Sequence, residues 1–171
     1  MRKLTNLLTL AAFAGLSTLS NFANAMPTCS DETIAGTYAF RISVEVFTSG
    51  GLVYRDGIAL TTFSGRHYIT QMDYVLANGV PVAGPTGPDG FHVDETGSYW
   101  VNENCTGRAE IDFPTPPGGT SGAVIKLFFV IGEGGREIHT IVTSVTPPNS
   151  KVAMPANIHS DAVRVGTSGN Y

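Results

Sequence analysis

The sequence predicts an all-β protein, an eight-stranded antiparallel up-and-down barrel with one disulfide. Three observations carry this. Downstream of Gly36 the apolar residues alternate in extended runs. Helix signals are almost absent there, while glycine and proline are frequent, 20 and 10 of 171 residues. The connections between the runs fall into short and long ones in regular alternation.

The first residues, Met1-Arg2-Lys3, are basic; an apolar run from Leu7 to Leu16 and then Ala23-Asn24-Ala25 follow. This order is that of a cleavable export signal over residues 1–25. The run is half the length of about twenty residues that a membrane helix needs. The reading leaves 26–171 as a single domain, secreted to the cell exterior or the periplasm, with no membrane span.

In the first predicted strand Tyr38, Phe40, Ile42, Val44 and Val46 share one face, and Ala39, Arg41, Ser43 and Glu45 share the other. That is the period of a strand with one buried side. The same reading gives strands over 37–47, 52–63, 68–77, 91–101, 107–113, 123–131, 136–145 and 158–165. No internal repeat or linker divides them.

Ser64-Gly65-Arg66-His67, Asn102-Glu103-Asn104-Cys105-Thr106 and Gly132-Glu133-Gly134-Gly135 have the composition of hairpin turns. Asn78–Gly90, Pro114–Gly122 and Thr146–Asn157 are long and proline-rich. In an up-and-down path the short turns share one end of the barrel and the long loops the other. Cys29 precedes the first strand and Cys105 lies in a short turn, so both belong to the short-turn end. In an oxidising compartment they are expected to pair, with residues 30–35 crossing the barrel floor. The competing architecture is a two-sheet sandwich, which would normally need a Greek-key crossing.

The formal charge of −4 becomes more negative once Arg2 and Lys3 leave with the signal. No basic patch is present, which argues against nucleic acid as a partner. Charged residues are 14% of the chain, against about 25% in an average domain. The strand at 123–131 is mostly apolar on both faces, which is expected either of a surface covered by a second subunit, a possible homo-oligomer, or of a local apolar patch.

No nucleophile elbow, zinc helix or phosphate loop occurs, and no cofactor or metal site is expected. A pocket, if open, should lie at the long-loop rim. The strand ends there supply Phe47, Tyr54, Tyr74, Phe91, His92, Phe113, Ile158 and His159, an aromatic mouth with two imidazoles. Among ionisable strand residues (Arg41, Glu45, Asp73, Glu110, Glu137, His139), an inward-facing group would be costly unless paired and would mark function. Glu137 and His139 share a face and are the catalytic candidates, as an acid–base pair; the alternative reading of the two is a solvated outer face.

Gly36-Thr37-Tyr38-Ala39-Phe40, Leu60-Thr61-Thr62-Phe63-Ser64-Gly65, Thr96-Gly97-Ser98-Tyr99-Trp100-Val101-Asn102 and Asn104-Cys105-Thr106-Gly107 together resemble a group of small exported microbial proteins. Their strand plan is similar to calycin-like or allene-oxide-cyclase-like barrels, which include the dirigent type. The resemblance implies fold more than activity. Ser64-Gly65-Arg66-His67-Tyr68 departs from that group's Asp-Gly-x-Gly-Asn, and no catalytic residue carries over. Three functions follow as expectations: binding of a small apolar or aromatic ligand at the long-loop end, a cofactor-free isomerase or cyclase, or a structural or surface-interaction module with a filled core.

Overall fold

The computed structural model describes residues 28–48 and 51–166. The expected signal segment, residues 1–25, lies outside the described residues. A single turn of 3-10 helix, Asp31–Ile34, is followed by β1 (Gly36–Thr48), β2 (Gly51–Phe63), β3 (Tyr68–Ala77), β4 (Val80–Pro81), β5 (His92–Val101), β6 (Thr106–Asp112), β7 (Val124–Gly132), β8 (Glu137–Thr146) and β9 (Met154–Gly166). Leaving β4 aside, each strand pairs antiparallel with the next, and β9 returns to pair with β1. The result is a closed eight-stranded up-and-down barrel. The short β4 hangs on β3 inside the long third connection. Closure leaves no main sheet edge exposed.

All eight expected strands are present. The last starts at Met154 rather than 158, because a register shift between Val142 and Ser144 lets Ser144 pair with Pro155 and Val145 with Met154. The turns after β2, β5 and β7 lie at the end where β1 begins, and the proline-rich loops lie at the other.

The Cys29–Cys105 disulfide ties the N-terminal segment to the turn between β5 and β6, with Cα atoms 5.0 Å apart. From there the 3-10 turn crosses the floor, and Ile34 is fully buried beneath the barrel. Side chains pin it on several sides. Val101 N–H donates to Asp31 Oδ1 at 2.9 Å, and His67 Nδ1 lies 2.5 Å from Asp31 Oδ2. Arg164 Nη2 donates to the Thr33 carbonyl at 2.6 Å and to Tyr38 Oη at 2.7 Å. Tyr38 Oη–H in turn donates to the Gly135 carbonyl. Gly135, at φ +90°, has room for no side chain, since a Cβ would stand 2.2 Å from the Thr33 oxygen.

Above this plug the core fills the lower half of the barrel. Phe63 meets Tyr38 and Tyr99 edge-to-face at centroid distances of 5.5 and 5.0 Å, a favourable quadrupole arrangement. Phe129 lies over Gly107, where a Cβ would come within 2.1 Å of its ring. On the outside, β7 presents Phe128 and Val130 at 57% and 51% exposure. Among the described residues no helix is long and apolar enough to cross a membrane.

Candidate functional site

The upper part of the barrel is hollow. A cavity of about 730 Å³ opens towards the proline-rich loops and reaches down to Phe63, Ile69 and Phe129 above the plug. Its walls are mainly aliphatic and aromatic: Ile42 and Val44 from β1, Ile111 from β6, Ile125 and Leu127 from β7, Val142 from β8. Val82, Pro85, Pro116 and Pro147 belong to the loops around the mouth. The volume falls in the range of small-molecule sites.

One sector of this wall is polar. Asp73, His92 and Glu95 line the cavity side by side, with one ligand-type atom from each lying within 4.8 Å of the others. Asp73 and Glu95 are 3% and 1% exposed. His92 Nδ1 lies 2.7 Å from Asp73 Oδ1, and its Nε2 lies 2.9 Å from the Val82 carbonyl oxygen. Gln71 Nε2 donates to Glu95 Oε2 at 2.7 Å, and Thr61 Oγ1 donates to Gln71 Oε1 at 2.7 Å. Glu95 Oε1 is buried and has no hydrogen-bond partner.

Two strands converge on the cluster in an irregular way. Gln71 pairs with Glu95, but Asp73 pairs with His92, so a register shift separates the two pairs. The extra residue is taken up near Asp94, which adopts a left-handed backbone at φ +65°. This is a β-bulge, a device that re-aims side chains. Without it, alternation would put His92 and Glu95 on opposite faces of β5.

The protons of this group follow from its partners. The Val82 carbonyl only accepts, so Nε2 of His92 carries a hydrogen. Nδ1 therefore shares a second proton with Asp73. Burial, and then the neighbouring Asp73 charge, push Glu95 up to about 8 from its ordinary 4.5. Burial also raises Asp73, against the opposing influence of His92. Near neutral pH Glu95 is thus a carboxylic acid rather than a carboxylate. The donor types would suit a cation, but the spacing does not. Adjacent ligands on an ion at 2.0–2.2 Å stand about 3 Å or more apart, whereas His92 and Asp73 are at the 2.7 Å of a shared proton.

His92 and Phe113 line the cavity. Tyr74 and Phe91 meet in a tilted ring contact, centroids 5.9 Å apart, and are absent from the lining. Tyr54 and His159 are exposed and also outside it, while Ile158, beside His159, lines it. The backbone of Phe47 belongs to β1, and its side chain lies outside the described residues. Glu137 and His139 stand on the outer wall, 3.7 Å apart, with His139 also 2.7 Å from Asp161. The Asp161 carboxylate raises His139 by accepting its hydrogen bond. Glu95, Gln71 and Thr61 complete the interior cluster without having stood out in the sequence. Their one signal is a set of polar residues at alternating positions, Thr61 on β2 and Gln71 and Asp73 on β3, in segments whose partners are apolar.

Comparisons with protein-family models, with curated proteins and with solved structures give no match.

Proposed function

We propose that this is an exported small-molecule-binding barrel that takes an apolar or aromatic ligand through its loop rim into the interior cavity. The observation that carries the reading is the cavity itself: about 730 Å³, apolar over most of its wall, sealed below by the cross-linked plug and open above. A structural module with a filled core would not need that space, since empty apolar volume costs stability. The disulfide agrees with export to an oxidising compartment. Titration with the neutral fluorescent dye N-phenyl-1-naphthylamine tests the reading. Saturable binding is expected in the wild type, with a loss of about tenfold or more in Leu127→Trp and Val142→Trp, which fill the cavity. No binding, or equal binding by the filled variants, would refute it.

A second reading, a cofactor-free isomerase or cyclase, is supported by the Asp73–His92–Glu95 cluster. A buried acid beside an imidazole–carboxylate pair, in the wall of a mainly apolar cavity, has the parts for proton transfer to and from a bound substrate.

A further inference from the structure

We infer that the cavity is selective for lipophilic amines, whose ammonium group docks on Glu95 beside the Asp73–His92 pair while the apolar body fills the barrel. The inference rests on the proposed binding function and specifies the chemistry of its ligand.

Its geometric basis is a polar sector rich in carboxyl oxygens, whose one exchangeable donor is the acid proton of Glu95 itself. Glu95 belongs to the cavity wall, and its Oε1 is buried with no hydrogen-bond partner. The donors already present are committed: Gln71 Nε2 to Glu95 Oε2, Thr61 Oγ1 to Gln71, and His92 Nε2–H to Val82. An ammonium group brings N–H donors and a positive charge to such a site, and charge-assisted bonds of this kind are the strong ones.

Charge balance leads to the same ligand. In the empty cavity the three groups hold two protons beyond the His92 Nε2–H, one shared by His92 and Asp73 and one on Glu95, which leaves the cluster neutral. An incoming ammonium replaces the Glu95 proton: the carboxylic acid releases H⁺ to solvent and the carboxylate pairs with the cation. The cluster stays neutral, so no unpaired charge is buried. A ligand carboxylate would instead add an anion beside two acidic groups.

Other charges near the cavity do not reverse this. On β6, β7, β8 and β9 the described lining side chains carry none. Glu45 and Arg55 reach the cavity from the exposed upper ends of β1 and β2. Arg55 lies six residues along β2 from Thr61, about 20 Å away at strand rise. An anion held there would leave the Glu95 acceptor unsatisfied.

The test displaces bound N-phenyl-1-naphthylamine with decylamine, 1-decanol and decanoate at neutral pH. Decylamine is expected to compete about tenfold or more better than either of the others, and Glu95→Gln to abolish that preference, read by direct calorimetry of the three ligands. Calorimetry of decylamine in buffers of different ionisation enthalpy should show release of about one proton per amine bound between pH 5 and 7, falling as pH rises towards 8. The proton count uses the wild type, so it decides the matter even if the variant folds poorly. Dye binding with decanol or decanoate equal to or better than decylamine, or amine binding without proton release, overturns the amine inference and leaves the cavity reading standing. Failure of the dye and all three probes overturns both.

Discussion

His92 and Glu95 lie three residues apart on β5, and both face the barrel interior. The left-handed backbone of Asp94 between them makes this possible. Aspartate tolerates that conformation, and a β-branched residue does not. Asp94→Gly should fold with stability equal to or slightly above the wild type. Asp94→Val should lose about 1–2 kcal/mol. Urea denaturation compares the two, and a Val variant as stable as the Gly variant would show that the bulge does not constrain the chain.

The buried carboxyls make stability depend on pH. Glu95 titrates at about 8 in the folded protein against an ordinary 4.5. Between these values the folded chain holds a proton that the unfolded chain has lost, so stability is fully present below about 4.5 and falls as pH rises towards 8. Asp73, also raised, acts in the same direction. Urea unfolding near pH 5 should exceed that near pH 8.5 by on the order of 2–3 kcal/mol. Glu95→Gln should flatten most of this slope; a slope unchanged in the variant would place its origin elsewhere.

The disulfide spans 76 residues of sequence. Replacing both cysteines by serine should cost about 4–5 kcal/mol in the chain-entropy picture. Hydrogen exchange should then rise first at the amides of Cys29–Ala35, because the cross-link anchors the floor segment. Unchanged exchange there would mean that Ile34 and Arg164 hold the plug unaided.

Ile34 is fully buried and closes the barrel base. Ile34→Ala should lose about 2–5 kcal/mol, read as a drop in urea midpoint with the m-value retained.

Glu137 and His139 sit on the outer wall, with His139 held by Asp161. Glu137→Gln and His139→Ala should leave dye affinity within about twofold of wild type, as expected of exposed substitutions away from the cavity. A larger loss would connect the outer wall to the ligand.

The strand plan was legible because it depends on local pattern. Alternation along β1, Gly- and Asn-bearing turns and proline-rich loops each act within a few residues. The order of those connections was enough to place Cys29 and Cys105 at one end. The interior cluster depends instead on pairing between strands. Asp73 stood out as an ionisable strand residue, but Glu95 lies in Asp94-Glu95-Thr96, which reads as polar surface. Nothing local announces that Asp94 shifts the register and turns His92 inward. Height along the barrel was readable for Tyr54 and His159. Which way each side chain turns depends on the phase of its strand, and both are exposed while Arg55 and Ile158 beside them line the cavity.

The cross-linked floor has a kinetic consequence. Under the proposed binding reading, with the base of the described barrel closed by Ile34 and the disulfide, a ligand enters and leaves by the proline-rich rim. Loosening the proline-rich rim at Val82–Pro85 or Pro147–Pro148 would then speed arrival and escape together, shortening the residence time.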